Sequence, residues 1–232
     1  IMTGSSFTAP QNYGRKIISN IVLNGLSALE GTTSTVGATN GIYLDDDASG
    51  IIVDSNTIAN NNKDGMYLHN NYSLFVRNNT IYNSAVSQLR LTHNTGHNSF
   101  RNIVSNNNLL VAKTVSESTL YAQTDATDIN FYLWGNIDSN WQARPLLQTT
   151  IIKAVKPNYN QNLNISDWYA LSTFDQHSLI SPKTFASTIN PDDSIRFEYN
   201  ATNSTRTINL DKIYIDLKKN QYSGPVDLPP FS

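Results

Sequence analysis

The chain reads as an all-β protein, a parallel β-helix solenoid followed by a small antiparallel β C-terminal region. Three observations predict this. Residues 41–62, GIYLDDDASGIIVDSNTIANNN, are repeated at once by residues 65–83, GMYLHNNYSLFVRNNTIYN, and a looser third copy follows in 88–91 and 101–104. The period is roughly 23 residues, within the range of solenoid repeats. Each copy holds two short alternating runs broken by Asn, Ser, Asp or Gly, the pattern of strands and turns. No segment carries a sustained helical stripe.

Strand–turn–strand units that cannot bury their own apolar face must stack on their neighbours. Placing equivalent strands directly above one another gives the parallel β-helix. Alternation then points Ile42 and Leu44 inward, with Met66 and Leu68, and Leu89 and Leu91. The triplets Asn56-Thr57-Ile58 and Asn79-Thr80-Ile81, with Asn102 in the third copy, predict an internal ladder. Each side-chain amide bonds its copy one coil away, and Asn20 and Asn136 are the expected extensions. An amide offers both donors and an acceptor, so a column of them satisfies itself without water. Turn chemistry alone would accept Gly, Asp or Ser in any copy.

In chain order, residues 1–13 have no clear period and are expected to be the tail of an earlier coil or a covering arm. Residues 15–23 resemble the second half of a coil, so N-terminal coils are expected on a missing segment or a separate chain. Residues 24–40 form an insertion on the side of the short turns at 60–64, and long insertions on one solenoid face are commonly functional. Residues 105–118 make another expanded turn. Residues 120–123 and 131–137 make a fourth coil, which Trp134 and Trp141 help to close. The coils thus occupy 1–141, a linker or covering segment with one apolar strand (146–155) occupies 142–182, and 183–232 form the antiparallel region, packed on the end of the solenoid.

Composition narrows the function classes. Charged residues are only 15% of the 232, which suits a secreted solenoid rich in Asn, Ser and Thr. With no cysteine there is neither a disulfide framework nor a thiolate metal site. A formal net charge of -2 leaves no electrostatic footprint for nucleic acid. No apolar run approaches the length of a membrane span.

The coils with GIYLDD, the segment Asp167-Trp168 to Asp175-x-His177-Ser178, and the closing NAT and VDLPPFS stretches resemble right-handed parallel β-helix proteins of the pectate-lyase-like superfamily. The resemblance covers most of the chain from Gly41 onward. It implies a secreted or cell-surface carbohydrate-active protein, with substrate lying along the outward face of one β-helix sheet. It also implies one more apolar strand beyond Pro-Phe-Ser. One departure stands out. Some β-helix glycosidases with a similar GIYLD segment carry a glutamate in the next coil, where this chain has MYLHNN, so the second acid is expected on upstream coils or catalysis is absent.

Stacking the copies aligns the outward residues. One column holds Tyr43, Tyr67, Arg90 and Tyr121, and the next holds Asp45, His69, Thr92 and Gln123. Aromatic rings suit sugar faces, and arginine suits a carboxylate. Asp45, His69 and Arg90 are the candidate catalytic residues, and Tyr43, Tyr67, Asp46 and Tyr121 the candidate substrate-binding ones. In the Asp45-Asp46-Asp47 run, two carboxylates suit the acid and base of a glycosidase, gathered oxygens are compatible with Ca²⁺, and an Asx-rich turn is the plainest reading. No other cofactor is implied. His93 and His97 lie in a turn, without the helix that would converge both rings on zinc. Asp175, His177 and Ser178 do not read as a triad, because no nucleophile elbow precedes Ser178. Two functions follow: an extracellular polysaccharide-degrading enzyme, hydrolase or lyase, or a non-catalytic glycan-binding or adhesin-type solenoid.

Overall fold

The computed structural model describes residues 14–31, 33, 37–127 and 130–232. The described residues wind through five successive coils. The first contributes β1 (Lys16–Ile18), β2 (Ile21–Leu23) and β3 (Ile42–Leu44), and the second β4 (Ile52–Asp54), β5 (Thr57–Ala59) and β6 (Asp64–His69). The third contributes β7 (Tyr72–Arg77), β8 (Thr80–Tyr82) and β9 (Ser87–His93), and the fourth β10 (Arg101–Asn106), β11 (Leu109–Val111) and β12 (Ser118–Thr124). The fifth contributes β13 (Gly135–Ile137), β14 (Trp141–Ala143) and β15 (Ile152–Lys156). Every third strand pairs in parallel with its copy one coil away, which generates three sheets around one core.

Each coil therefore has three strands, where the sequence pattern showed two runs. The second run is cut by a sharp corner: Ser55 takes a left-handed backbone (φ 56) immediately before Asn56, and Asn78 (φ 56), Asn107 (φ 54), Ser139 (φ 58) and Ser19 (φ 55) do the same in the other coils. Short polar side chains tolerate this conformation better than β-branched ones.

The residue after each corner carries the ladder. Asn20 Nδ2 donates to Asn56 Oδ1 at 2.9 Å, Asn56 to Asn79 at 2.9 Å, Asn79 to Asn108 at 2.9 Å and Asn108 to Asn140 at 3.0 Å. The backbone N–H of each of these donors binds the same oxygen at 3.0 Å. The expected column is thus present with two rungs corrected. Asn102 and Asn136 are exposed residues within β10 and β13, and Asn108 and Asn140 stand in their place. The coils differ in length, with successive rungs 36, 23, 29 and 32 residues apart. A fixed period from Asn79 therefore lands on Asn102, inside β10, and not on Asn108 after the corner.

The inward residues Ile42, Leu44, Met66, Leu68, Leu89 and Leu91 are buried as the alternation requires, and Leu120, Ala122, Ile152 and Ala154 continue the column. Gly41 and Gly65 owe their repetition to close approach: a Cβ on Gly41 would lie 2.6 Å from the Gly65 carbonyl, and one on Gly65 2.8 Å from that of Gln88. Trp134 is fully buried against Phe100 and Phe131. Trp141 does not close the stack. Its indole faces outward and donates to Leu217 O at 3.1 Å.

Closure falls instead to Trp168, buried at zero exposure on α1 (Ile165–Ser172) and packed on Phe131 and Phe174. No periodic pattern marks this helix, which is short and starts at an Asn164 cap accepting from Asp167 N at 2.9 Å. The parallel pairing runs past residue 141. β14 and β15 belong to the second and third sheets, β16 (Tyr159–Leu163) returns antiparallel on β15, and β17 (Leu179–Ile180) adds to β14. Leu146 and Leu147 lie in the turn before β15 rather than in one long strand, with Leu147 at φ 58.

The C-terminal hairpin, β18 (Arg206–Ile215) and β19 (Gln221–Leu228), is antiparallel as expected. It belongs to a region that lies along the flank of the second sheet, not on its end. Phe197 stacks on Tyr82 at 4.6 Å, Asp192 pairs with Lys113 at 2.6 Å, and Leu217 caps the Trp141 indole, contacts that span three coils. The readings for 1–13 and for the centre of the 24–40 insertion fall outside the described residues.

Replacing Asn79 by Ala would strand the Asn56 N–H and remove the side-chain donor from the Val53 carbonyl and from Asn108 Oδ1 in the interior. Each buried unsatisfied group costs about 1–3 kcal/mol, so Asn79→Ala is expected to lower unfolding free energy by about 3 kcal/mol or more in urea titration. Asn102→Gly, at an exposed left-handed position, should be near neutral. Equal losses would remove the ladder from its structural role.

Candidate functional site

The outward face of the third sheet is built by β3, β6, β9, β12 and β15. Its register pairs Tyr43 with Tyr67, Tyr67 with Arg90, Arg90 with Tyr121, and Tyr121 with Lys153. The second column pairs His69 with Thr92 and Thr92 with Gln123. The candidate residues thus lie on one face, in the order the repeat implies.

The aromatic column packs on itself. The Tyr43 and Tyr67 rings stack at 4.8 Å and 7°. The Arg90 guanidinium lies between Tyr67 and Tyr121, 5.0 and 4.4 Å from the ring centroids. Rings stacked along the coil axis turn edges and hydroxyls outward, so their faces are used inside the protein. Arg90 is similarly committed. It donates to Gln123 Oε1 at 2.8 Å and Thr92 Oγ1 at 3.3 Å, and pairs with Asp64 at 3.5 Å. Asp64 was not singled out from the sequence, although it follows the turn that opens the repeat. It is fully buried, and its burial pushes the carboxyl up, against hydrogen bonding from Ser87 and the charge of Arg90.

Asp45, Asp46 and His69 converge where β3 and β6 end. The chain turns there through left-handed Asp47 (φ 59) and Asn70 (φ 52), which leaves the preceding side chains projecting at the rim. His69 Nδ1 lies 2.9 Å from Asp45 Oδ1 and 3.2 Å from Asp46 Oδ1. Tyr43 donates its hydroxyl to Asp45 Oδ1 at 2.6 Å and sits 3.3 Å from the same imidazole nitrogen. Asn70 donates to Asp46 Oδ1 at 2.6 Å. The His69 and Asp45 side chains are 19% and 26% exposed, reachable by a ligand yet partly shielded.

Electrostatics separate the roles of these groups. Burial opposes ionisation of Asp45, but hydrogen bonds from Tyr43 and His69 outweigh it and hold its carboxyl below the usual range. Burial first, then the adjoining Asp45 carboxylate, push the Tyr43 phenol far above its ordinary value. At neutral pH the pair is a carboxylate and a protonated phenol.

The sequence missed the wall around this cluster. The turn after β9 places Asn94 Oδ1 2.6 Å from His69 Nε2 and His97 Nδ1 3.7 Å from Asp46 Oδ1. His93, by contrast, is buried against Thr124 at 3.4 Å, so the two turn histidines do not converge. Asp47 accepts from Asn98 at 2.6 Å and faces away from the pair, so the three aspartates do not form one oxygen cage. Asp175, His177 and Ser178 are separated in role. Asp175 is buried beneath the last ladder rung, accepting from Ser178 at 2.5 Å and Trp168 at 3.1 Å, while His177 pairs with Asp138 at 2.6 Å.

A right handed beta helix region is matched over residues 2–128, more than half of the chain, and the protein belongs to that family. The parallel coils described above are therefore right-handed. No curated protein and no solved structure matches the chain.

The depressed Asp45 carboxyl carries a stability signature. Its contribution is complete above the ordinary aspartate range near 3.8 and is lost as pH falls through the lower folded value. The stability difference between wild type and Asp45→Asn should therefore shrink as pH is taken below about 4, measured by thermal unfolding. A difference independent of pH from 7 to 2.5 would contradict the hydrogen-bonded carboxylate.

Proposed function

We propose that the chain is an extracellular polysaccharide-degrading enzyme, secreted or displayed at the cell surface, whose glycan lies along the outward face of the third sheet. The observation that carries this reading is the Tyr43–Asp45–His69 cluster on that face. An ionised carboxylate, an imidazole and a protonated phenol lie within hydrogen-bond reach of one another at a partly exposed rim. General acid–base catalysis needs such groups, with one able to accept and another able to donate a proton near neutral pH.

Within this reading Asp45 and His69 exchange protons with the substrate, and Tyr43 and Asp46 hold them. Tyr67, Tyr121 and Arg90 form the stacked floor. Arg90 keeps its charge near the glycan, but its donors are spent on Gln123, Thr92 and Asp64. That favours a carboxylate-centred hydrolase over an arginine-centred lyase. A second reading, a non-catalytic glycan-binding or adhesin-type surface, is favoured by the same stacking, because a floor locked by its own contacts is rigid and preorganised.

A polysaccharide panel separates these. Reducing-end release and absorbance of unsaturated uronate products are read together for wild type, Asp45→Asn and Arg90→Ala. Asp45→Asn should lose at least about 100-fold in turnover with glycan binding retained, consistent with loss of an acid–base group. Product appearing as reducing ends without the absorbance would select hydrolysis. Binding without turnover, unchanged by Asp45→Asn, would leave a glycan-reading surface and end the enzyme reading.

A further inference from the structure

We infer that Asp45, Asp46 and His69 form a divalent transition-metal site, completed from solvent or by His97. The inference concerns the same rim as the proposed function, where a bound metal would take the place of direct proton exchange by Asp45 and His69, and its test reads metal uptake and not glycan cleavage. Its basis is the direction in which His69 faces. The ring's Nε2 lies 2.6 Å from Asn94 Oδ1, and a carbonyl oxygen only accepts, so Nε2 carries the hydrogen. Asn94 is held in that orientation from its other end, where its Nδ2 donates to Asp125 at 3.4 Å and its N–H to Asn70 Oδ1 at 2.7 Å. The Asn70 amide nitrogen, 3.2 Å from the same ring atom, is committed to Asp46 at 2.6 Å.

This leaves Nδ1 as the ring atom that faces two carboxylate oxygens, 2.9 and 3.2 Å away. The Tyr43 hydroxyl hydrogen bonds Asp45 Oδ1 at the edge of this group, and the three donor atoms are drawn together more fully by a positive species among them. A second ring proton meets that need, and so does a metal ion that takes its place. The geometry fits the metal. Ligand bonds of about 2.0–2.2 Å set donors about 3–3.5 Å apart, the range of Nδ1 to each carboxylate oxygen at 2.9 and 3.2 Å, and all three donor atoms lie within 4.8 Å of one another.

The surroundings match what ligands of this kind need. A metal-bound histidine donates its remote N–H to a fixed oxygen, as His69 does to Asn94. Asp45 and Asp46 are each steadied by one donor, Tyr43 and Asn70, and each keeps lone pairs free. His97, at 3.7 Å from Asp46 Oδ1 and 36% exposed, is placed to swing in as a further nitrogen. One or two imidazoles with carboxylates select Zn²⁺, Mn²⁺ or Co²⁺ over Ca²⁺, which takes oxygen alone.

The test is direct binding to the intact chain after dialysis against a chelator. Zn²⁺ titrated by calorimetry at pH 7.5 should bind with one equivalent, and Asp46→Asn and His69→Gln should each weaken it at least tenfold. Ca²⁺ at the same concentration should not compete. Nitrogen-15 resonances of the histidine rings give a readout that needs no variant. Zn²⁺ should shift His69 Nδ1 and leave Nε2 protonated. Binding retained in a folded His69→Gln protein, absence of stoichiometric uptake, or a His69 ring unchanged by Zn²⁺ would each overturn the site.

Discussion

The buried asparagine column is the interaction on which the rest of the structure depends. A solenoid with three corners per coil must turn its backbone sharply beside its own core. At one of those corners it leaves peptide N–H and carbonyl groups with no strand partner. The ladder amides answer this at every level: each oxygen accepts the preceding rung's side chain and backbone N–H, and the Asn56, Asn79, Asn108 and Asn140 nitrogens also reach a preceding carbonyl. A half-satisfied column would be worse than an apolar one, because a buried polar group without a partner costs more than a hydrogen bond returns. The column therefore has to end on a polar group. Asn140 donates its last bonds, its backbone N–H to Ser178 Oγ at 2.8 Å and its Nδ2 to Asp175 Oδ1 at 3.4 Å, and burial pushes the Asp175 carboxyl up despite the hydrogen bonds it accepts.

The fixed corner sets the register of everything downstream. Once Asn56, Asn79 and Asn108 are stacked, β3, β6, β9 and β12 lie directly above one another, and side chains that share a position share a column. The Tyr43–Tyr67–Arg90–Tyr121 stack and the Asp45–His69 pair are consequences of that alignment, not separate inventions. The same constraint limits the aromatic residues. Strands about 4.8 Å apart hold successive rings at stacking distance, so a column of tyrosines buries its faces against itself. What it offers a ligand is a rigid edge of hydroxyls beside a cluster of ionisable groups.

Much of this was legible because a repeat converts one observation into many. The pairing of Gly41 with Gly65, Tyr43 with Tyr67 and Leu44 with Leu68 specifies parallel stacking, inward and outward faces, and the two outward columns. Where the repeat decays, legibility goes with it. Asn102 was the rung expected from the third copy, but insertions before β10 moved the corner to Asn108. The cap helix around Trp168 occurs once and has no periodic signal. The partners of His69 outside the strip, Asn94 and His97, come from an irregular turn whose path depends on backbone bonds to Asn70 and Asp125. Asp64 was hidden for another reason: an acid beside a strand reads as surface, and only the stack shows it buried under Arg90.

The rim where β3 and β6 end is the surface proposed to meet the glycan. Nitrogen-15 spectra of the labelled chain, recorded with oligosaccharides of neutral and uronic type, test it most directly. A bound glycan is expected to perturb Tyr43, Asp45, Tyr67, His69 and Thr92 together and to leave the β18–β19 hairpin unchanged. Perturbations confined to the hairpin or the second sheet, with the rim silent, would contradict it.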